Sequence, residues 1–345
     1  MSKVTFFIHY NIINYIRYNS IRQTVLKNKE IVYRACGLKG LKLWRHICKS
    51  IYSIKGTVED YFLFNFFDKT DEEIKQYTTY GRYIDFFKKL GSDRYAELFS
   101  DKALFYKNYK HMLNREIIDL RHASFDEFNN FCKNNKTIVV KPAHGSSGYK
   151  ISKICVDDYP STKVLMDELI DKKCYICEQL IIQHKDMAKF HDKSINTLRV
   201  ITTNINGKYS IWGVYIRIGK GDGIADNLGS GGLTATVDIN TGKIITPAVT
   251  KVYGEKYEKH PISGVKILGF KIPHFDMVKE KCIQYAKEIP DVPFIGWDIA
   301  ITPDGICVVE ANATPLYDIT QLSLNKGNFQ YHQNILQSLG KQYNI

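Results

Sequence analysis

The sequence predicts an α+β protein, with a mostly helical N-terminal domain followed by a domain built on antiparallel strands. Residues 1–95 place apolar side chains at helical spacing and carry few strand signals. Strand-like runs begin at residue 137, and the run over 196–218 is interrupted by Asn206-Gly207, a hairpin turn signal. A second pair of strand-like runs lies within 296–315, so we expect antiparallel sheets.

The same patterns divide the chain into three segments. We expect a basic helical domain over 1–95, a strand-rich domain over 96–320 and a C-terminal helix over 321–345. A helical run follows Asp101 in the second segment, and another is predicted over 275–288.

Composition places the chain among globular proteins, with 44% hydrophobic and 24% charged residues. No apolar run approaches the roughly 18 residues of a membrane span, and no cleavage site follows the N-terminal apolar residues. The eight cysteines are dispersed, which is typical of a reducing cytoplasm. Cys174 and Cys177 are three apart in a strand-like run and point to opposite faces, so we expect no metal or redox role.

Positive charge is concentrated at the N-terminus. Residues 1–56 contain eleven Lys or Arg and one acid, which is +10 of the chain's net +12. This segment also carries interleaved aromatic residues, among them Phe6, Phe7, Tyr10, Tyr15, Tyr18 and Trp44. Such a segment suits peripheral contact with an anionic membrane, at the inner face of the membrane in a cytoplasmic protein, or contact with a polyanion. The alternative is a helical domain with a solvated basic face. No nucleic-acid motif accompanies the charge.

The segment GWDIAITPDGICVVEANATP (296–315) carries the strongest chemical signal. The turn residues Pro303, Asp304 and Gly305 predict a three-residue hairpin loop that pairs Thr302 with Ile306. Counting outward from that pair places Asp298 opposite Glu310, and the two-residue strand period places Asn312 on the same face.

Two carboxylates directly opposite each other repel unless a cation lies between them. Magnesium prefers oxygen ligands and is commonly held by one or two carboxylates together with substrate phosphates. Asp298, Glu310 and Asn312 are therefore the candidate metal ligands. The alternative is a solvated hairpin with surface acids, although the apolar flanks favour a buried sheet.

Two further elements suit a nucleotide. Lys141 ends an apolar strand, and the loop residues Gly145, Ser146, Ser147 and Gly148 follow at once. Backbone N–H groups of such a loop can surround phosphate oxygens, while the lysine supplies a point charge. Glu178, Gln179, Leu180 and Ile181 end a later strand, where backbone groups can recognise an adenine edge.

The arginine-bearing hairpin leaves two registers open. With a two-residue turn at Asn206-Gly207, Arg217 pairs with Asn196 and Arg199 faces the other side of the sheet. If the loop also includes Lys208, the register shifts by one residue and both arginines share a face. Asn227 lies in the glycine-rich loop that follows.

Together these elements resemble the ATP-grasp superfamily over roughly residues 97–320. They are similar, more narrowly, to the sugar-transfer-associated ATP-grasp proteins of bacterial capsule and surface-polysaccharide biosynthesis. The matching motifs are KPAHGSSGYKI, EQLIIQH, SINTLRVIT, DNLGSGG, Glu258-Lys259-His260-Pro261 with GFKIP, and GWDIA followed by VVEANATP. The resemblance implies two α+β subdomains that grip ATP between antiparallel sheets, with a hinge near 178–182.

The resemblance also implies roles for individual residues. Lys141 and Lys102 would contact phosphates, Gly145–Gly148 would cover them, and Glu178–Ile181 would hold adenine. Asp298, Glu310 and Asn312 would bind magnesium, with two ions expected. Arg217 and Asn227 would steady an acyl phosphate, and Arg199 is a further candidate catalytic residue. An acid that commonly contacts the ribose is missing, and Gln183 or His184 occupies that region. His260 is a candidate on the acceptor side.

The resemblance implies a carboxylate–amine ligase that forms an acyl phosphate from ATP and needs no nucleophilic residue. A sugar, uronic acid or amino acid is the expected substrate. A phosphotransferase acting on a hydroxyl is the second hypothesis, and a non-catalytic nucleotide-binding scaffold at the membrane is the third. The third is disfavoured because Lys141, Asp298, Glu310 and Asn312 are all present.

Overall fold

The structure is a computed structural model that describes residues 2–13, 19–143, 151–221 and 228–343. The chain forms two compact units. The helical unit contains Met1–Asp93, Val249–Lys256 and Leu316–Ile345, and the sheet unit contains Arg94–Ala248 and Tyr257–Pro315.

The helical unit contains eight α-helices among its described residues. These are α1 (Lys3–Phe7), α2 (Asn19–Cys36), α3 (Gly40–Tyr52), α4 (Val58–Leu63), α5 (Asp71–Lys75), α6 (Tyr80–Leu90), α13 (Ile319–Leu322) and α14 (Phe329–Ser338). A π-helical turn, Ile8–Ile13, continues α1. Ile47, Ile51 and Tyr61 are central in its core. A buried carboxylate, Asp60, accepts hydrogen bonds from Thr57 N at 2.8 Å and Tyr317 Oη at 2.7 Å.

The C-terminal segment belongs to the helical unit rather than forming a separate helix over 321–345. The Gln321 side chain accepts from Thr78 N and donates to Thr78 O, both at 2.9 Å. The boundary expected at residue 95 lies at residue 93, and residues 249–256 also join this unit. Local periodicity cannot reveal these associations because the partners are far apart in the chain.

The sheet unit contains the six remaining α-helices and the eleven strands of the described chain. The helices are α7 (Ala96–Ser100), α8 (Lys102–Leu113), α9 (Phe125–Asn134), α10 (Thr162–Asp171), α11 (Lys185–Ala188) and α12 (Phe275–Glu288). The strands are β1 (Ile117–Asp119), β2 (Thr137–Lys141), β3 (Ser152–Cys155), β4 (Ile176–Gln179), β5 (Thr197–Ile205), β6 (Lys208–Ile218), β7 (Leu233–Val237), β8 (Ala248–Val249), β9 (Lys256–Tyr257), β10 (Phe294–Thr302) and β11 (Gly305–Asn312). The chain leaves this unit within β8 and returns within β9.

Two sheets organise the unit. The smaller sheet has the strand order β1-β4-β2-β3, and its apolar side packs with Phe128 of α9 and Leu165 of α10. The larger sheet has the order β11-β10-β5-β6-β7-β8-β9. Val278 and Cys282 of α12 pack in its core with the fully buried Trp297. This confirms the predicted α+β class with antiparallel sheets.

Candidate functional site

The β10–β11 hairpin brings Asp298 opposite Glu310, as predicted, but by a different path. The turn has two residues rather than three, because Thr302 pairs with Gly305 instead of Ile306. A β-bulge then returns the strands to the predicted register. Val308 pairs with Ile299, Glu310 pairs with Asp298, and Val309 between them has no partner in this strand pair. Asn312 pairs with Gly296, two residues from Asp298, so the three predicted ligands share one face of the sheet.

A second β-bulge decides the register of the two arginines. The turn at Asn206-Gly207 has two residues, as in the first alternative, because Ile205 pairs with Lys208. The bulge leaves Trp212 without a partner in this strand pair, and Arg217 therefore pairs with Thr197. Arg199 and Arg217 thus lie on the same face of the sheet. The second alternative had predicted this shared face, but from a loop that includes Lys208 rather than from a bulge.

Both arginines converge on one carboxylate. Arg199 donates through Nε to Asp298 Oδ1 at 2.5 Å and through Nη2 to Oδ2 at 3.0 Å. Arg217 donates through Nη1 to Asp298 Oδ2 at 2.5 Å. These guanidinium groups hold the pKa of Asp298 below its usual range although burial opposes them. Asp298 is therefore ionised and firmly oriented.

Glu310 has the opposite electrostatic character. Burial raises its pKa, and the neighbouring carboxylate of Asp298 raises it further. The facing carboxylates thus differ, since the pKa of Asp298 is lowered and the pKa of Glu310 is raised. A proton between opposed carboxylates relieves the same repulsion that a divalent cation would relieve.

The residues of this face fit magnesium. The Asn312 side-chain nitrogen is buried and has no hydrogen-bond partner among the described residues, and exchange of the two amide ends would present its oxygen instead. Among the described residues, no group of three or more His, Cys, Asp or Glu could hold a metal. Two carboxylates and an amide oxygen are nevertheless a suitable set for magnesium that also binds substrate phosphates.

A buried ionic cluster surrounds Lys141 at the end of β2. Lys141 Nζ and Tyr106 Oη both contact Glu178 Oε1. Arg115 Nε donates to Glu178 Oε2 at 3.2 Å. Burial opposes ionisation of Glu178, but Arg115 and Lys141 lower its pKa to about 2. Glu178 therefore serves as the counter-ion that holds Lys141 in place.

Lys102 lies within electrostatic reach of the carboxylates of Glu178 and Glu310. It begins α8, whose N-cap Asp101 accepts from Ala103 N at 2.9 Å, and Lys102 N donates to Ala143 O at 3.2 Å. Burial and Lys141 lower the pKa of Lys102, whereas Glu310 and Glu178 raise it. Lys102 is thus electrostatically coupled to Lys141, Glu178 and Glu310, and Glu310 lies opposite Asp298.

The structure narrows the segment that can contact adenine. Residues 176–179 are paired on both sides, with β1 and with β2, so the backbone of Glu178 and Gln179 is largely used within the sheet. Leu180 and Ile181 follow the last strand residue and are half-buried. The backbone of Leu180 and Ile181 therefore lies outside this strand pairing, unlike that of Glu178.

Gln183 and His184 were the two residues considered for the ribose, and the side chain of Gln183 is used in hydrogen bonds within the protein. The Gln183 amide donates to the carbonyls of His191 at 3.0 Å and Ser194 at 2.9 Å, and its oxygen accepts from Asn196 Nδ2 at 2.9 Å. His184 N donates to Ile301 O at 2.7 Å, and His184 Nδ1 accepts from Asp186 N at 3.1 Å.

His260 is buried, and its ring nitrogens bond to backbone groups of Gly219 and Ser263. Its Nε2 contacts Gly219 O at 2.8 Å, while Nδ1 accepts from Ser263 N at 3.2 Å. His191 Nε2 contacts Gly221 O at 2.7 Å. The two histidines therefore fix the start of the glycine-rich loop after β6. The predicted positions Gly145, Ser146, Ser147, Gly148 and Asn227 lie outside the described residues.

Sequence reasoning missed Arg115 and Tyr106, the other two partners of Glu178. Arg115 also donates from Nη1 to Val308 O at 2.5 Å, so one side chain connects β4 with β11. Both residues are isolated in sequence, and no local motif distinguishes them from surface residues of a helix and a loop.

Comparison with known protein families gives a match over most of the chain. A family model described as "Sugar-transfer associated ATP-grasp" matches residues 82–337. No curated protein sequence matches the chain significantly.

Solved structures of ATP-grasp ligases are similar at low identity. The ligase PsnB, complexed with a minimal precursor, is 11% identical with a TM-score of 0.43, over 72% of this chain and 63% of that chain. D-alanyl-alanine synthetase A from Vibrio cholerae is 14% identical with a TM-score of 0.39, over 73% of this chain and 62% of that chain. The chain therefore spans less than two thirds of each of these proteins.

Proposed function

Because the chain belongs to the sugar-transfer-associated ATP-grasp family, we propose that it is an ATP- and magnesium-dependent carboxylate–amine ligase. The observation that carries this proposal is the strand face that holds Asp298, Glu310 and Asn312, with Lys102 within electrostatic reach of Glu310 and Lys141. Such a site supplies positive charge for phosphates and oxygen ligands for their cation.

We propose that Lys141 and Lys102 bind the phosphates of ATP. Asp298, Glu310 and Asn312 would hold magnesium, and we expect two ions. Magnesium bound there would neutralise charge on the phosphates. The Arg115–Glu178 pair keeps Lys141 extended toward the phosphates, and Leu180 and Ile181 offer backbone groups to adenine. Arg199 and Arg217 orient Asp298 and add positive charge where negative charge develops.

The proposed reaction has two steps. A substrate carboxylate oxygen attacks the γ-phosphorus of ATP, the bond to the β-phosphate oxygen breaks, and an acyl phosphate and ADP result. An amine then attacks the acyl carbon, phosphate leaves, and an amide forms with loss of a proton. We propose a sugar, a uronic acid or an amino acid as the substrate, with surface polysaccharide as the setting. The family description, which mentions sugar transfer, supports a sugar-related substrate.

One observation favours a carboxylate over a hydroxyl as the phosphate acceptor. A hydroxyl needs a base, whereas a carboxylate is already ionised at neutral pH. His260 and His191, the histidines near the arginine strands in the described chain, are committed to backbone carbonyls. Neither of these two histidines is therefore available as the base that a hydroxyl nucleophile would need, which supports a carboxylate nucleophile.

Hydroxylamine trapping tests the proposal. Purified protein, ATP, magnesium and a panel of uronic and amino acids should release ADP and yield a hydroxamate with the true carboxylate substrate. The Glu310→Gln variant should abolish this turnover, while Glu280→Gln, an exposed control on α12, should leave it unchanged.

A phosphorylated product without hydroxamate would overturn the ligase proposal in favour of a phosphotransferase. ATP binding without ADP release, for any substrate in the panel, would favour a non-catalytic scaffold.

A further inference from the structure

The helical unit contains a second basic cavity, distinct from the residues of the carboxylate site. Its volume is about 280 Å³. Four basic residues and one acid contribute to its walls: Lys3, Lys55, Lys75, Arg82 and Asp85. Phe329 of α14 and Tyr343 supply aromatic surface. Nothing in the proposed ligase reaction uses this cavity.

Two of the four cations already have counter-ions. Lys55 Nζ lies 2.5 Å from Asp85 Oδ2, and both side chains are largely buried. Lys75 Nζ lies 2.7 Å from Glu72 Oε1 at an exposed position. These pairs are neutral and give the cavity no net charge.

Arg82 has no counter-ion among the described residues. Its Nη1 donates to the carbonyls of Lys75 and Tyr77, both at 2.7 Å, and its guanidinium carbon lies 3.7 Å from the Phe329 ring centre. In the part of the chain that the structure describes, Nε and Nη2 make no hydrogen bond. The backbone bonds and the ring thus fix the guanidinium plane and leave two of its nitrogens unused.

Burial makes this arrangement costly without a ligand. It lowers the pKa of Arg82 to about 10, and no described carboxylate offsets the effect. Lys3, at the start of α1, is likewise without an ion pair among the described residues. The cavity therefore carries two uncompensated positive charges.

We propose that this cavity binds a phosphate group. A phosphomonoester carries between about −1.5 and −2 charges at neutral pH, which matches the two uncompensated cations. The planar guanidinium of Arg82 suits two phosphate oxygens at once, and Lys3 adds a mobile point charge.

Two sources share this chemistry. A soluble phosphorylated metabolite could place its phosphate in the cavity. An anionic lipid could do the same with its headgroup, because exposed apolar residues follow Lys3 at helical spacing: Val4, Ile8 and Ile12 are 53%, 44% and 42% exposed. The experiment below distinguishes these sources.

Calorimetric titration of the full-length protein with inorganic phosphate tests the site. Arg82→Gln should weaken phosphate binding roughly ten- to hundredfold, because it removes a charged hydrogen-bond donor. Lys3→Gln, at a half-exposed position whose side chain bonds to no described residue, should weaken binding in the same direction if Arg82→Gln fails to fold. Arg45→Gln, an exposed control on α3 with the same charge change, should alter binding by less than about twofold.

Phosphate could also bind at the proposed nucleotide site, so Lys102→Gln separates the two. Loss of binding in Lys102→Gln with retention in Arg82→Gln would overturn the proposal and leave the ligase proposal intact. Absence of saturable binding in the wild type, or equal losses in Arg82→Gln and Arg45→Gln, would also overturn it.

Vesicle flotation distinguishes a lipid headgroup from a soluble phosphomonoester as the source of the phosphate. Flotation with phosphatidylcholine vesicles that contain phosphatidic acid, lost in Arg82→Gln and absent with phosphatidylcholine alone, would assign the phosphate to a lipid. Phosphate binding in solution without flotation would assign it to a soluble phosphomonoester.

Discussion

Replacement of Glu178 by Gln should destabilise the sheet unit severely while leaving side-chain shape nearly unchanged. Glu178 is 4% exposed and is the counter-ion of Lys141 and Arg115. The neutral amide would leave two buried cations without compensation. Breaking a buried ion pair in this way costs about 3–5 kcal/mol.

Proton linkage gives an independent magnitude. The pKa of Glu178 falls from 4.5 to about 2 on folding. Each pKa unit corresponds to about 1.4 kcal/mol, so ionised Glu178 contributes about 3 kcal/mol at neutral pH. Because the folded-state pKa is depressed, this contribution is complete above the unfolded-state pKa and is lost as pH falls from 4.5 toward 2.

Urea unfolding monitored by tryptophan fluorescence in a Trp44→Phe background measures the effect, since the two remaining tryptophans, Trp212 and Trp297, lie in the same unit as Glu178. We expect Glu178→Gln to lower the free energy of unfolding by about 3–4 kcal/mol at pH 7 and by progressively less below pH 4.5. Exposed Glu280→Gln should change it by less than about 0.5 kcal/mol. A loss below about 1 kcal/mol for Glu178→Gln would refute the counter-ion role.

Three further predictions follow from single contacts. Gly219→Ala should lower stability by about 1–3 kcal/mol in urea unfolding, because its Cβ would lie 2.1 Å from Ser194 Oγ. His332 is buried with a pKa lowered to about 3, so the unfolded state takes up its proton first as pH falls below about 6.5. Stability is lost through this window, and the wild type should lose about 2 kcal/mol more than His332→Gln between pH 7 and pH 5 in urea unfolding. Arg199→Lys should reduce ADP release because one ammonium cannot replace the two-point grip on Asp298.

Each of these has a control or a contrary outcome. Ser194→Ala should restore part of the stability lost in Gly219→Ala, and no restoration would argue against the steric cause. His122→Gln, at an exposed histidine, controls for histidine removal, and equal pH slopes in the wild type and His332→Gln would contradict the buried-histidine explanation. Unchanged ADP release in Arg199→Lys would show that the two-point contact is dispensable.

The strand pattern allowed the sheets and the facing pair Asp298–Glu310 to be predicted, but not the way the pairing arises. The predicted loop was one residue too long, and the bulge at Val309 compensates for the difference. The bulge at Trp212 similarly decides the arginine register that the sequence left open. A bulge depends on twist and on packing against other strands, so it leaves no reliable local signal.

Long-range polar contacts explain the remaining differences. Glu178 was predicted from its place at a strand end, yet its partner Arg115 comes from a preceding loop with no motif. The short, discontinuous parts of the helical unit were missed for the same reason. Periodicity identifies elements, whereas these associations depend on individual side chains that meet only in the folded chain.

The three-part composition of the helical unit affects the order of events during synthesis. Residues 1–93 are made first, but the segment from Leu316 that completes their unit emerges roughly 220 residues later. At about 5–20 residues per second, the N-terminal helices wait roughly ten to forty seconds for Gln321 to reach Thr78. The sheet unit apart from Val249–Lys256 is one continuous stretch and can fold during that interval. A chain shortened from its C-terminus should therefore expose the apolar core of its earliest-made part.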